Sequence, residues 1–590
     1  MPPRDPHSYS DLGQGSIRHI DFQFLMDFDS RTLSGRGAYE LDRPCQGPFD
    51  LDIRGLDVIT VRSGQGALDW SLGPDDPILG QRLRIADLAG RQGFDIEFRT
   101  RPSASALQWL TPEQTGGRLH PYLFTQCQPI HARTVFPCQD SPSVRFTYSA
   151  ELTVPSDLTA VMAAAGLGHR QDGHTRRFRF RMPQPIPSYL FALAVGDLTF
   201  RELGPRTGVY CEPGLAEKAA WEFAQTEEML AKAEGLYGPY DWERYDLLVM
   251  PPSFPYGGME NPRLTFLTPT ILAGNRALVN LIAHELAHSW TGNLVTNATW
   301  EDFWLNEGWT TYAERRIIEA LEGADGANLR AQTGRNSMFR AMRRFGMDSD
   351  PTRLKFSQAG IDPESVVSYV PYEKGYSFLV RLERLAGRPA FDRFVHEYIG
   401  DHRFQSITTE DFIEYLRRKL PQAARAIDLQ AWLYEPGFPD DAPPFPSRMG
   451  DDVSERLFDY QEGRLPRRED VAEWTTAQIY LFLQFLPRQL PVEDCRALDP
   501  IFDMPKNRIV VHHSQFYEIS IRSGYREILP RVEALLSAVG RVFVVAPVFQ
   551  ALAETSWSRP MVRSLFERHR ARHHPITVAT VDQILQRAGV

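Results

Sequence analysis

Two histidines flank a glutamate at His284, Glu285 and His288 inside an apolar run from Leu281 to Trp290, and a further carboxylate follows at Glu307. Residues four apart lie on one helix face, so both imidazoles can reach one ion from the same side. Glu285 projects about 100° further round the helix, beside the ion rather than on it. There a carboxylate can take a proton from metal-held water. Three protein ligands, His284, His288 and Glu307, leave a coordination position open for that water. The pattern points to one catalytic zinc per chain with Glu285 as general base. Two histidines at this spacing also occur on ordinary amphipathic helices. Against that stand Glu307 and the apolar neighbours Leu278, Val279, Leu281, Ile282 and Leu286, among which uncompensated imidazoles are costly to bury.

Certain elements must position these groups. Asn275 offers a helix start, and Gly292 with Asn293 offers a stop. Glu307 opens a second helical pattern, Trp309 to Leu321, and the loop between is long enough to fold it back onto the first. Upstream, Gly257-Gly258-Met259-Glu260-Asn261 reads either as a turn or as a strand edge beside the metal with Glu260 facing a substrate amine. An enzyme that trims peptides from the amino end needs such an anion to hold the free α-amino group.

The chain has 590 residues, more than one hydrophobic core serves, so three domains are expected. Polar and apolar residues alternate in Arg18–Phe24, Val144–Ala150 and Phe178–Met182, and Tyr189–Val195 reads as a further strand. These segments predict a large antiparallel β assembly from about 17 to 200. Helical periodicity runs from Leu215 to about Phe394. The run Glu435–Pro446, rich in proline, cannot continue a helix and reads as a linker. Helix-length patterns return beyond it, for instance Trp474–Leu486 and Ile528–Val539, with short loops that predict stacked helix pairs. The expected division is therefore a β-rich domain at 1–199, a zinc domain at 200–436, a linker at 437–448 and an α-helical domain at 449–590.

A net charge of −10 disfavours nucleic acid and anionic membrane as partners. No run of about eighteen apolar residues and no amino-terminal apolar segment is present. Five scattered cysteines argue for a reducing compartment, the cytoplasm, and against a disulfide framework.

Longer strings carry a family resemblance. They are Tyr122–Gln128, Phe136–Val144, Pro251–Pro262, Ile282–Asn297 and Phe303–Gly308. Together they resemble the M1 family of zinc aminopeptidases, and within it the branch that combines aminopeptidase with leukotriene A(4)-type epoxide hydrolase activity. The resemblance covers the amino-terminal and central regions well and the last 140 residues loosely. It implies a multidomain α+β fold: a saddle-shaped antiparallel β domain, a thermolysin-like, mostly helical catalytic domain and an α-helical C-terminal domain. It also implies short peptides with a free amino terminus as substrates and a monomer or weak oligomer. His284, His288 and Glu307 become zinc ligands, Glu285 the general base and Tyr372 the support of the transition state. Substrate contacts fall to Gln126, Cys127 and Gln128 and to the loop Pro255, Tyr256, Gly257, Gly258, Met259 and Glu260, with Glu260 on the free amine. Trp290 is expected to pack rather than bind.

The family pattern is not fully met. Val367 stands where the mammalian leukotriene enzyme has a second tyrosine, and Glu364 stands for its nearby aspartate. Both changes count against epoxide hydrolysis, which stays an alternative activity. The family's Arg-x-Lys pair for substrate carboxylates has no clean counterpart, which leaves Arg559 as the sole candidate cation. A metal-free binding scaffold is the remaining alternative, and the complete set of zinc and catalytic residue types argues against it.

Overall fold

The computed structural model describes residues 4–590. The alternating segment at Arg18 becomes the strand Ile17–Asp27, whose Ile20, Phe22, Phe24 and Met26 face inward while their neighbours face out. Arg145–Pro155 and Thr175–Pro187 alternate in the same way, and all three lie in one eight-stranded sheet. The sheet departs from a purely antiparallel plan at one place, where Ile17–Asp27 and Arg145–Pro155 pair parallel. Such a pairing joins segments remote in sequence, so local alternation cannot report it.

Tyr189–Val195 is not a single strand. Ser188–Leu190 forms a tight 3-10 turn and only Leu193–Gly196 is extended. Buried polar partners hold that turn: Ser188 Oγ donates to Asp140 at 2.6 Å, and the Tyr189 hydroxyl donates to the Gly292 carbonyl at 3.1 Å. The second contact ties the β-rich region to the loop behind His288.

The region that reads as helical also contributes three strands to a five-stranded sheet that begins just before it. Thr199–Gly204, Thr207–Cys211, Tyr245–Val249, Leu264–Leu267 and Gly258–Met259 follow one another across it. Tyr245–Val249 is buried on both faces, and a short apolar run of that kind carries no period to separate strand from helix. Gly258–Met259 is the edge, paired among the described residues only with Phe266 and Leu267.

The His284 helix spans Val279–Ala287, later than Asn275 predicts. Asn275 instead accepts a hydrogen bond from the Ala277 amide at 3.1 Å, a local turn that precedes the helix. After the helix the chain turns at Gly292, where φ is +109° and a Cβ would crowd His288 and Asn306. The Glu307 helix, Trp304–Glu322, then crosses the Tyr372 helix, Tyr369–Ala386. The crossing is made by two glycines: a Cβ on Gly375 would lie 2.8 Å from the Gly308 Cα, and one on Gly308 would lie 2.9 Å from the Gly375 Cα. Backbones in direct contact there bring Tyr372 against Glu307.

Beyond Arg448 the chain is helical and has its own apolar core, built from residues such as Phe482, Phe516, Val548, Phe549, Phe566 and Leu585. The proline-rich run is irregular, as expected, yet firmly attached. Phe445 stacks on Tyr376 at 5.2 Å, Trp432 Nε1 donates to Asp441 at 3.0 Å, and Lys374 Nζ donates to the Glu435 carbonyl at 2.9 Å. All five cysteines are free and buried. Among the described residues no helix is long and apolar enough to cross a membrane.

Gly375→Val is expected to force the two helices apart, at a cost of about 1–3 kcal/mol. Thermal unfolding reads it: the midpoint should fall, and fall less for Gly375→Ala. An unchanged midpoint for the valine variant would show that the helices do not touch there.

Candidate active site

His284 and His288 lie one turn apart on their helix and present their Nε2 atoms to each other at 3.3 Å. Glu307 Oε2 closes a triangle, 3.4 Å from one nitrogen and 3.6 Å from the other. A tetrahedral ion with bonds of about 2.0–2.2 Å sets its ligand atoms about 3.3–3.6 Å apart. The three donors match that spacing.

Hydrogen bonds behind the rings fix which nitrogen faces inward. His284 Nδ1 donates to Glu314 Oε2 at 3.1 Å. His288 Nδ1 lies 3.1 Å from Thr310 Oγ1, whose own proton goes to the Thr291 carbonyl at 2.6 Å, so the imidazole is the donor. With both Nδ1 atoms protonated, both Nε2 atoms offer lone pairs. Glu307 Oε2 is enclosed and has no hydrogen-bond partner among the described residues. Three electron-rich atoms converging in a dry spot are costly unless a cation sits among them, so the residues present fit a dication with nitrogen and oxygen ligands, as zinc is.

Charges around the triangle follow from burial. Burial disfavours a charged His284, but Glu307 and Glu314 beside it outweigh that and hold its pKa well above the ordinary value. Burial pushes the Glu285 carboxyl up to about 8; His284 opposes this, and Glu307 and Glu314 reinforce it. A dication nearby acts in the other direction and restores the carboxylate. Burial, and then the charge of Glu307, hold the Tyr372 hydroxyl protonated far above its usual range. Its ring lies 6.0 Å from the His284 ring and nearly parallel to it, so Tyr372 meets the site as a hydrogen-bond donor.

The edge strand passes directly beside these groups. A Cβ on Gly258 would overlap the Glu285 carboxylate, so the strand can run there only as glycine. Glu260 follows, buried, with Gln128 Nε2 donating to its Oε1 at 3.1 Å and Asn293 Nδ2 donating to its backbone carbonyl at 2.7 Å. Burial, with the charges of Glu307 and Glu285, pushes its carboxyl well up. A cationic ligand group is what such a carboxyl lacks.

All of this lines one cavity of about 830 Å³ that extends to the C-terminal helices. His284, Glu285, His288, Glu307, Tyr372, Gln128 and the segment Tyr256–Glu260 face it. Gln126, Cys127 and Pro255 do not. Gln126 Nε2 sits 3.2 Å from Met259 Sδ on the edge strand, and Cys127 is buried. The Pro255 carbonyl accepts from the Val542 amide at 2.9 Å. Arg559 also lies outside the cavity, exposed at the start of its helix and hydrogen-bonded to the Ala588 carbonyl. Trp290 is buried and its Nε1 donates to the Gly238 carbonyl at 3.0 Å. Val367 and Glu364 both line the cavity, with the Tyr256 hydroxyl donating to Glu364 at 2.9 Å.

Three residues of the site went unnoticed in the sequence. Thr310 and Glu314 follow Glu307 by three and seven positions, which is one helix face, so their signal was present. Arg541, half-buried in the cavity wall, has no pattern around it that could have marked it.

Comparison with known proteins gives matches along most of the chain. Residues 83–190 match the peptidase M1 N-terminal domain, 221–432 the peptidase family M1 domain and 474–585 the leukotriene A4 hydrolase C-terminal domain. The leukotriene A-4 hydrolase of Xenopus laevis is 36% identical over 603 residues, covering 98% of this chain and 99% of that protein. Leucine aminopeptidase 2 of Neosartorya fischeri is 36% identical over 609 residues, covering 99% and 98%. The structure of yeast LTA4 hydrolase in complex with bestatin superposes with a TM-score of 0.92 at 32% identity, covering 99% of this chain and 98% of that one.

Removing the supports of the histidines should loosen the metal while leaving its ligands in place. Thr310→Val and Glu314→Gln are each expected to weaken zinc binding by about 10–100-fold, read as the chelator concentration that strips half the metal. Unchanged retention in both would show that Nδ1 support is dispensable.

Proposed function

The chain belongs to the M1 peptidase family, and from that premise we infer that it is a zinc aminopeptidase that removes the first residue of short peptides. The observation that carries this reading is the triangle of His284, His288 and Glu307, closed by an unpartnered carboxylate oxygen and bordered by an open strand edge that ends at Glu260.

His284, His288 and Glu307 would hold a zinc ion, and that ion, when bound, would supply Lewis-acid polarisation of the scissile carbonyl and lower the pKa of the attacking water. The chain's own groups do the rest. A substrate peptide lies along Gly258–Met259, whose outer side has no strand partner. Glu260, oriented by Gln128, pairs with the α-ammonium group and fixes the register, so that only the first peptide bond reaches the reacting centre. Glu285 accepts the proton of the attacking water and passes it to the departing amine. Tyr372 donates a hydrogen bond to the carbonyl oxygen as it becomes negative. The buried free cysteines support a cytoplasmic setting.

Epoxide hydrolysis is the second reading, favoured by the likeness to leukotriene A-4 hydrolase along nearly the whole chain. Val367 offers no hydroxyl to that reaction, and Glu364 is engaged by Tyr256. Peptide hydrolysis is therefore the main activity we assign; turnover of an allylic epoxide against an amino-acid anilide separates the two.

Glu285→Gln is expected to keep one zinc per chain and to lose at least about 10²-fold in anilide turnover. Metal analysis and steady-state kinetics on the same preparation check both halves. Full turnover in that variant would contradict the role of Glu285.

A further inference from the structure

Asp5, His7 and Ser8 are buried in a polar network that the proposed reaction does not use. Arg133 holds it together: its Nη2 donates to the His7 carbonyl at 2.6 Å, while its Nε donates to Asp140 at 2.8 Å. Asp52 accepts from Ser8 Oγ and from the Tyr9 amide, and Asp5 accepts from the His7 amide and from Ser141 Oγ. These bonds fix the segment to the β-rich domain. The His7 ring, itself fully buried, reaches a different part of the chain, with Nε2 at 2.9 Å from the Ile361 carbonyl. A carbonyl oxygen can only accept, so the imidazole carries a proton on Nε2 and donates it.

Ile361 leads directly into the stretch from Asp362 to Val367, all of which lines the cavity. Ala359, Gly360 and Asp362 are exposed, and an exposed loop with few buried contacts opens easily. Among the described residues, His7 makes the only hydrogen bond to residues 359–363 from outside the loop. Within it, Asp362 accepts from the Glu364 amide at 3.0 Å and starts the short turn Pro363–Val366. Glu364 then stands between two segments that frame Glu260. The Tyr256 hydroxyl donates to it at 2.9 Å, and His131 Nε2 lies 3.9 Å away. Tyr256 directly precedes the segment Gly257–Glu260. The His131 amide donates to the carbonyl of Cys127, the neighbour of the Gln128 that orients Glu260. The wall that His7 steadies is therefore at the amine end of the cavity, where the side chain of a peptide's first residue must lie.

We propose that His7 is a positioning residue for substrate selection: by holding the Ile361 carbonyl it fixes the wall from Asp362 to Val367 against the first side chain of the peptide. This rests on the aminopeptidase reading above. His7 touches no reacting atom, so its loss leaves the zinc ligands and Glu285 in place. The wall loosens instead. A long first side chain that packs against it then loses more than a methyl group that stops short of it.

Hydrogen exchange and steady-state kinetics test this together, on zinc-loaded wild type, His7→Ala, His7→Gln and Ser8→Ala. Ser8→Ala removes a bond to Asp52 from the same network without touching the loop, so it controls for lost stability. Amides of residues 359–367 should exchange at least about threefold faster in His7→Ala than in wild type, and at the wild-type rate in Ser8→Ala. KM for a leucyl anilide should rise about three- to tenfold in His7→Ala, the range one lost hydrogen bond gives, while KM for an alanyl anilide stays within about twofold. His7→Gln, whose side-chain amide can donate to the same carbonyl, should recover part of both effects. The two anilides are compared within one protein, so partial misfolding of a variant does not alter the contrast. Unchanged exchange in His7→Ala, equal KM shifts for the two anilides, or the same shifts in Ser8→Ala overturn the proposal. With anilide turnover intact in wild type, those results remove the role of His7 alone. No anilide turnover in wild type removes the aminopeptidase reading and the role in substrate selection with it.

Discussion

Three lone-pair donors meeting at one buried point are the constraint on which the rest of this protein depends. His284 Nε2, His288 Nε2 and Glu307 Oε2 stand 3.3–3.6 Å apart in a buried triangle. Left alone, such a cluster would open, or neutralise by taking up protons. The molecule holds it shut from outside: Glu314 and Thr310 grip the far sides of the imidazoles, and the Gly308–Gly375 contact clamps the Glu307 helix to the Tyr372 helix. A dication held by these three atoms would stabilise the cluster in return.

Close backbone approach is the recurring means of construction. Gly258 lets an open strand edge run against Glu285, Gly292 turns the chain beneath His288, and Gly540 presses the C-terminal helices onto the loop before that edge. At each of these places a side chain would separate elements that the chemistry needs in contact. The consequence is one cavity shared by residues from remote parts of the chain, with Gln128, Glu260, Tyr372 and Arg541 all in its wall.

Much of the architecture could be read from the sequence because its signals are local. Alternation at Ile20, Phe22 and Phe24 needs only the period of a strand, and the spacing of His284 and His288 needs only the pitch of a helix. What could not be read depends on distant partners. The parallel pairing of Ile17–Asp27 with Arg145–Pro155 joins segments more than a hundred residues apart, and Tyr245–Val249 is buried on both faces and so shows no period. Tyr189 leaves the strand pattern because its hydroxyl is committed to Gly292. The family resemblance left Arg559 as the candidate cation, yet its guanidinium is used on Ala588, while Arg541 reaches the cavity through contacts that no local pattern records.

The central claim concerns how one ion is bound, and X-ray absorption at the zinc edge of the purified protein examines it most directly. The account predicts one zinc per chain with two imidazole nitrogens and carboxylate or water oxygens at about 2.0–2.2 Å, and no sulfur. Sulfur in that shell, a single imidazole, or a protein that neither carries zinc nor takes it up would contradict it.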